Sequence, residues 1–141
     1  MNLVVDCSFI MSSVLPDENQ EKIEEIYYHI SQNVYKVYVP AIFYLECGNV
    51  LVSSLRRNRI TEEQYLDYVN LLSMLPVNTD KFCASSESLY TVGNLAKKYN
   101  LSSYDASYLD VAIRMEALVA TLDKNLIASC KILDIKLALQ Y

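Results

Sequence analysis

Glycine, proline, tryptophan and histidine are scarce in this sequence of 141 residues, which has two glycines, three prolines, no tryptophan and one histidine. So few glycines and prolines leave little material for linkers, and no repeat or low-complexity segment divides the chain. Hydrophobic residues make up 52% of the sequence, which argues against a disordered chain. We therefore predict one domain over residues 1–141, a common size for a single hydrophobic core.

Long hydrophobic runs are also absent. The apolar run at the N-terminus meets Asp6 after three residues and follows no basic segment, unlike a secretion signal. No stretch approaches the roughly 18 apolar residues that a membrane helix needs. We expect a soluble, cytoplasmic protein that has no membrane partner.

The four cysteines, Cys7, Cys47, Cys83 and Cys130, never form a C-x-x-C pair. Such dispersed cysteines argue against a structural zinc site or a disulfide framework. They indicate buried free thiols in a reducing compartment.

Positive charge is scarce as well, since 12 basic residues against 17 acidic ones give a net charge of −5. A nucleic-acid-binding protein usually carries a basic surface. Any RNA binding here must therefore depend on local patches and bound cations. Arg56, Arg57 and Arg59 form the densest basic cluster. They either contact phosphates or form a solvated helix end that complements the helix dipole.

Apolar runs that are typical of strands alternate with segments of helical periodicity. We predict strands at 3–5, 35–40, 76–79, 118–122 and 135–139, and helices at about 18–31, 41–57, 61–74, 82–99, 102–113 and 124–130. This alternation favours an α/β fold, a three-layer α/β/α sandwich with a central, mainly parallel sheet. Within it, we expect the helix 41–57 to be buried, because it is apolar almost all round.

Acidic residues stand at selected points of this pattern. Asp6 and Asp123 follow buried strands, so they are expected at the same edge of a parallel sheet, where ligands bind in such folds. Glu46 and Asp105 lie on helices. Each acid also has an ordinary structural interpretation. Asp6 suits a loop entry, Asp123 a helix cap and Glu46 an ion pair with an arginine, while Asp105 would stabilise a helix start by about 0.3–1 kcal/mol.

Together these four acids indicate a metal site. Clustered carboxylates raise each other's pKa values, and a divalent cation removes that cost. Ligands that are all oxygen favour Mg²⁺ or Mn²⁺ over zinc, and such an ion assists displacement at phosphorus. Asn49 lies one helical turn beyond Glu46, where it would hold Glu46 by a hydrogen bond or contact a water ligand of the metal.

Two further residue sets have open roles. Tyr44, Tyr104 and Tyr108 lie near the acids and either line a cleft or belong to the core or an interface. Asp110 is about 140° around its helix from Asp105, so we expect it to face solvent.

Four segments resemble the motifs of PIN-domain ribonucleases in order and spacing: 4–8 (VVDCS), 46–51 (ECGNVL), 104–109 (YDASYL) and 120–126 (ATLDKNL). Residues 56–61 (RRNRIT) also resemble a segment of VapC-type toxins, which belong to type II toxin–antitoxin pairs. The resemblance implies Mg²⁺- or Mn²⁺-dependent endonucleolytic cleavage of RNA, with Asp6, Glu46, Asp105 and Asp123 as the acidic quartet. It also implies supporting hydroxyls at Ser8 and Thr121, an antitoxin partner and a homodimer.

Two departures from the family pattern concern backbone geometry. Gly48 stands where alanine is commoner, at a cost of roughly 1 kcal/mol in helix propensity. The segment 115–117 replaces a glycine turn that is often found before the fourth motif. A catalytically silent PIN-fold module that binds RNA or protein stays open as the alternative function. The RNA target, the antitoxin and the number of metal ions are also open.

Overall fold

The computed structural model describes residues 1–12 and 20–139. The strands within these residues are β1 (Asn2–Val5), β2 (Lys36–Pro40), β3 (Val77–Asp80) and β4 (Leu118–Ala120). The helices are α1 (Cys7–Ser12), α2 (Gln20–Ser31), α3 (Phe43–Arg56), α4 (Glu62–Ser73), α5 (Ser88–Tyr99), α6 (Ser103–Arg114) and α7 (Lys124–Ile132). No helix in this part of the chain is long and apolar enough to cross a bilayer.

The four strands form one parallel sheet in the order β3-β2-β1-β4. In β1, Leu3, Val4 and Val5 are all 0% exposed. Because successive side chains of a strand point to opposite faces, this burial means that helices cover both faces of the sheet. The predicted α/β/α sandwich with a central parallel sheet is confirmed.

Local signals locate several helix starts correctly. Thr61 caps α4 in a capping box, because its hydroxyl accepts from the Gln64 amide at 3.1 Å and the Gln64 side chain accepts from the Thr61 amide at 2.9 Å. Ser102 caps α6 by accepting from the amide of Asp105 at 3.0 Å. Each cap satisfies a backbone amide that has no partner within its helix.

Three elements differ from the prediction. Helix α1 was missed, since six residues are too few to show a period. The predicted helix 82–99 begins only at Ser88, after a 3₁₀ turn over Phe82–Ala84. The predicted strand 135–139 is reduced to a single parallel bridge between Val119 and Leu137. The predicted start of the second helix, at residue 18, lies outside the described residues.

Helix α3 is amphipathic, so the prediction of a helix buried all round is wrong. Phe43, Cys47 and Leu51 are buried at helical spacing. On the other side, Tyr44 is 41% exposed and Leu45 is 76% exposed. Apolar composition alone does not separate these faces, because the side that faces the sheet is chosen by packing.

Asp110 is 3% exposed, so the prediction that it faces solvent is also wrong. Arg114, one turn further along α6, donates to Asp110 Oδ2 from Nε at 2.9 Å and from Nη2 at 2.7 Å. The same guanidinium makes a bidentate pair with Asp80 at 2.7 and 3.0 Å and lies 4.8 Å from the centre of the Phe82 ring. A buried carboxylate needs such a partner, and the pair joins α6 to the end of β3.

Among the described residues of this glycine-poor chain, almost all those with a left-handed backbone conformation are Asn or Asp. The described residues with positive φ are Asn33, Asn58, Asn100, Glu116 and Asp134. Glu116, at φ 47°, lies in the turn before β4, where the family resemblance implies a glycine. Gly48 has no comparable constraint, because a Cβ added there would meet nothing within 4 Å.

Candidate functional site

Two predicted site residues follow adjacent parallel strands. Val5 of β1 pairs in register with Ala120 of β4, and the Asp6 amide donates to the Ala120 carbonyl at 3.2 Å. Asp6 follows β1 directly, and Asp123 comes three residues after β4 ends. Both residues therefore lie at the carboxyl edge of the sheet, where an α/β fold binds its ligands.

Asp6 is 5% exposed and is surrounded by hydrogen-bond donors. Its carboxylate accepts from the Ser8 hydroxyl at 2.8 and 2.9 Å, from the Phe9 amide at 2.9 Å and from the Thr121 hydroxyl at 2.6 Å. The bond from Phe9 makes Asp6 the cap of α1, a structural role that is compatible with a functional one. Ser8 and Thr121 thus both contact Asp6.

The two hydroxyls also connect the ends of β1 and β4. Thr121 Oγ1 accepts from the amide of Asp123 at 3.0 Å, and Ser8 Oγ accepts from the amide of Leu122 at 2.9 Å. Each hydroxyl therefore donates to Asp6 and accepts from the backbone of the turn that carries Asp123. These contacts fix the position of Asp6 relative to that turn.

Asp123 caps α7, as its structural interpretation proposed. Its Oδ1 accepts from the amide of Leu126 at 2.8 Å. This bond engages one of the two carboxylate oxygens, and the residue as a whole is partly exposed. Capping therefore fixes the orientation of the carboxylate and still leaves an oxygen for another role.

Asp105 and Glu46 are carried by two different helices. Asp105 lies in the first turn of α6, beside the Ser102 cap. Glu46 lies near the start of α3, and its Oε1 accepts from the hydroxyl of Tyr108 at 2.7 Å. Asn49 is exposed and forms no hydrogen bond with Glu46 in the described structure, so Tyr108 takes the place that the sequence suggested for Asn49.

Tyr108 differs from the two other tyrosines near the acids. It is 1% exposed, whereas Tyr44 is 41% and Tyr104 is 60% exposed. Sequence analysis did not assign the contact between Tyr108 and Glu46. The one local signal for it is the position of Tyr108 three residues after Asp105, on the same side of α6.

The four carboxylates lie within electrostatic range of one another. Burial raises the pKa of Asp6, and the charge of Asp123 raises it further, against the hydrogen bonds that lower it. Burial, then the charges of Asp105 and Asp6, raise the pKa of Glu46. Burial and the charge of Asp123 raise the pKa of Asp105. Each acid therefore interacts with two others, and we call these four residues the acidic ring.

No lysine or arginine of the described residues forms a salt bridge with the acidic ring, because the salt bridges there are those of Arg114 with Asp80 and Asp110. Hydroxyls, backbone amides and the N-terminal ends of α6 and α7 are the groups that offset the negative charge. Four acids held together without a basic partner are a suitable environment for a hard cation.

The donor chemistry fits Mg²⁺ or Mn²⁺, since carboxylates supply only oxygen ligands. As placed, no group of three or more His, Cys, Asp or Glu side chains among residues 1–12 and 20–139 is arranged to hold a metal ion. Mg²⁺ keeps several waters and usually takes only one or two carboxylates directly, so it does not require three such side chains in direct contact. The residues of the acidic ring are therefore compatible with such an ion.

The raised pKa values of Asp6, Glu46 and Asp105 predict how stability depends on pH. Their ordinary values are 3.8 for aspartate and 4.5 for glutamate, so between these values and the raised ones the folded protein binds more protons than the unfolded chain. The free energy of unfolding of the metal-free protein should therefore fall as pH rises through that window. Thermal melting in EDTA at stepped pH checks this.

Two comparisons sharpen that measurement. Glu46→Gln should flatten the decline in melting temperature, because it removes one of the titrating groups. Asp80 works in the opposite direction, since Arg114 holds its pKa below the ordinary 3.8, and the stability that it contributes is lost only at more acidic pH. A metal-free protein whose stability rises steadily from about pH 4 to about pH 7 would contradict the prediction.

Residues 3–132 match the family model described as PIN domain. No curated protein matches the sequence. The fold is similar to that of FitAcB from Neisseria gonorrhoeae, with a TM-score of 0.64, 16% identity and coverage of 96% of this chain and 95% of that one.

Two other solved structures are similar over most of their length. VapBC2 from Rickettsia felis, bound to a DNA fragment from its promoter, has a TM-score of 0.67 and 12% identity, and the match covers 97% of this chain and 96% of that one. VapC20 from Mycobacterium tuberculosis, described as a sarcin–ricin loop cleaving toxin, has a TM-score of 0.65 and 12% identity over 90% of this chain and 94% of that one. At identities this low, the structural similarity establishes a common fold and nothing more.

Proposed function

Because the chain belongs to the PIN domain family, we propose that it is a metal-dependent endoribonuclease that cleaves RNA phosphodiester bonds. The observation that carries this proposal is the acidic ring at the carboxyl edge of the sheet, in which each of Asp6, Glu46, Asp105 and Asp123 interacts with two others. Four mutually repelling carboxylates with no salt-bridge partner in the described structure destabilise a protein unless they bind a cation.

In the proposed mechanism, Asp6, Asp105 and Asp123 would hold Mg²⁺ or Mn²⁺ directly or through water. Glu46 would bind the same ion or a second one, or would position the attacking water. When bound, the cation supplies an activated water and charge stabilisation at phosphorus. The acidic ring repels phosphate in the absence of a cation, so RNA binding and cation binding are coupled.

The hydroxyls of Ser8 and Thr121 support the proposed role of Asp6 as a cation ligand. The hydrogen bonds from Thr121 and Ser8 lower the pKa of Asp6 against the effect of burial, so they favour the ionised form that a cation needs. They also limit rotation of the carboxylate, which lowers the entropic cost of binding an ion. We therefore assign Ser8 and Thr121 a supporting role.

We further propose that the protein is the toxin of a type II toxin–antitoxin pair, cytoplasmic, with an antitoxin partner and a homodimeric form. The motif resemblance supports this proposal, as does the fold shared with a protein described as a toxin, VapC20. Exposed apolar side chains offer protein-binding surface, among them Leu45 and Leu89, which are 76% and 77% exposed. Arg56, Arg57 and Arg59 are all exposed and are candidates for RNA phosphate contacts.

Metal removal tests the enzymatic proposal. The purified protein should cut single-stranded RNA in Mg²⁺ or Mn²⁺, should lose this activity completely in excess EDTA, and should recover it when either ion is restored. A labelled RNA panel resolved on a denaturing gel measures the cleavage, with Ca²⁺ as a control for stabilisation by any divalent ion. RNA cleavage that persists in EDTA would exclude the proposed mechanism.

The same experiment separates the enzyme from the silent module. Mn²⁺ binding to the acidic ring raises the melting temperature in both cases, because the ion binds the folded state alone. Cleavage of RNA accompanies that rise only in the enzyme. A melting temperature that rises with Mn²⁺ while every RNA in the panel stays intact would favour the RNA- or protein-binding module.

A further inference from the structure

We propose that Tyr108 is a positioning residue, whose hydroxyl fixes the carboxylate of Glu46 and so strengthens binding of a divalent cation at the acidic ring. The inference rests on the proposed function, and of the two roles given there to Glu46 it takes that of a metal ligand. Its basis is the hydrogen bond from the Tyr108 phenol to Glu46 Oε1, at 2.7 Å. This bond joins residues that are 62 positions apart and belong to two different helices.

The position of the phenol is set by the core. Tyr108 is 1% exposed, and it is among the largest fully buried side chains of the described structure. Its ring packs with the residues of the central hydrophobic cluster, so the hydroxyl has little freedom to follow Glu46. The tyrosine is therefore the fixed partner, and the glutamate, which is partly exposed, is the group that is held.

The spacing along α6 gives this contact a role in the site. Tyr108 follows Asp105 by three residues, so both side chains leave the same side of the helix. Helix α6 thus supplies one carboxylate of the acidic ring and the donor that holds a second carboxylate, which comes from α3. Any shift of α6 moves Asp105 and the support of Glu46 together.

Glu46 depends on this bond more than Asp6 depends on any one of its own. Asp6 has a short side chain and accepts from two hydroxyls and a backbone amide. Glu46 has one more rotatable bond, and Tyr108 is its hydrogen-bond partner among the described residues. A single phenol therefore orients the carboxylate of Glu46, whereas three donors orient that of Asp6.

The chemistry of the contact suits a metal ligand. The phenol engages Oε1 and leaves Oε2 to face a cation, which favours binding through one oxygen. A tyrosine is neutral, so it orients the carboxylate and leaves intact the negative charge that attracts the ion. A lysine in its place would offset that charge. Removing a group that orients a metal ligand typically weakens metal affinity by about 10- to 100-fold.

The test measures Mn²⁺ affinity in the full chain without RNA, from the electron paramagnetic resonance signal of free Mn²⁺. Tyr108→Phe keeps the buried ring and removes the hydroxyl, and we expect its dissociation constant for Mn²⁺ to rise about 10-fold or more. Tyr27→Phe is the matched control. It removes a hydroxyl that donates to the Ile10 carbonyl at 3.4 Å, from a ring stacked on Phe9, and its Mn²⁺ affinity should equal that of the wild type.

A double-mutant cycle shows whether Tyr108 acts through Glu46. In a Glu46→Gln background, Tyr108→Phe should weaken Mn²⁺ binding no further. Wild-type affinity in Tyr108→Phe, with weakened binding in Glu46→Gln, would overturn the positioning role and leave the proposed function intact. Wild-type affinity in Glu46→Gln would instead remove Glu46 from the metal ligands of the proposed function.

A second variant covers the case in which Tyr108→Phe fails to fold. Glu46→Asp keeps the charge at a partly exposed position and withdraws the carboxylate from the phenol by one methylene. We expect it to lose about as much Mn²⁺ affinity as Tyr108→Phe, roughly 10-fold. Wild-type affinity in Glu46→Asp would overturn the inference, because an unanchored carboxylate would then serve equally well.

Discussion

Replacing Asp6 with asparagine should lower the rate of RNA cleavage by about 10²- to 10³-fold, the loss expected when a group that supports transition-state charge is removed. Asparagine has the same shape, and its side-chain oxygen can still accept from the amide of Phe9 and cap α1. Its amide nitrogen cannot accept from Thr121, but it can donate to that hydroxyl instead. The change therefore removes one negative charge from the acidic ring and preserves the local backbone. Single-turnover cleavage of a labelled RNA in Mg²⁺ measures the effect.

The same substitution, which lowers the cleavage rate, should leave the thermal stability of the metal-free protein unchanged or raise it. Burial and the charge of Asp123 disfavour the ionised form of Asp6, so Asp6→Asn should melt at or above the wild-type temperature in EDTA and gain less from added Mn²⁺. Asp67→Asn removes the same charge from the exposed surface of α4, and it should match the wild type in both assays. A purified Asp6→Asn protein that cuts RNA at the wild-type rate would exclude an active site at the acidic ring.

Replacing Arg114 with methionine should destabilise the fold by about 3 kcal/mol, because removing one partner of a buried ion pair leaves the other charge uncompensated. The Asp110 side chain is 4% exposed and loses both hydrogen bonds from the guanidinium, while the Asp80 side chain, at 12% exposed, loses its bidentate partner. Methionine fills much of the volume of arginine, so the loss is electrostatic rather than a cavity effect. Urea unfolding followed by circular dichroism measures the change.

A partial rescue identifies the cause. Asp110→Asn in the Arg114→Met background removes the uncompensated charge and should recover part of the loss, by the logic of a double-mutant cycle. Arg57→Met, at an exposed position just beyond α3, should stay within about 0.5 kcal/mol of the wild type. An Arg114→Met protein as stable as Arg57→Met would contradict the prediction and would mean that the buried Asp110 carboxylate does not depend on Arg114.

Much of the fold follows from local sequence. The apolar run before Asp6 and the alternation in β2 identify strands, and the capping box at Thr61 identifies the start of α4. The resemblance to the PIN domain family, drawn from four short motifs, is confirmed by a match over residues 3–132. These features are encoded within a few neighbouring residues, so a single sequence is sufficient to find them.

The errors concern properties that tertiary contacts decide. Asp110 is at a position that helical geometry places away from Asp105, and its burial is compensated by Arg114, which the contact with Asp80 at the end of β3 holds in place. The apolar composition of α3 does not reveal that Leu45 faces outward. Helix α1 owes its start to the contact between Asp6 and the Phe9 amide, which leaves no periodic signal in six residues.

The sequence locates some residues of the candidate site and not others, because tertiary contacts again decide the rest. The meeting of Asp6 and Asp123 follows from the parallel sheet, since both residues come after buried strands. Glu46 and Asp105 are on helices, whose rotation and depth depend on packing, so sequence proposes them without locating them. The hydrogen bond from Tyr108 to Glu46 depends on two such helices at once, so no local pattern predicts it.

The bond between Thr121 and Asp6 spans 115 residues of sequence. During synthesis on the ribosome, Asp6 emerges 115 residues before Thr121, its hydroxyl donor. Until β4 docks beside β1, Asp123 has no fixed place next to Asp6, and a growing polypeptide has no assembled acidic ring. The edge of the sheet that gathers the four acids is thus completed only when β4 docks, and a translation product that ends before residue 118 lacks β4, Thr121 and Asp123.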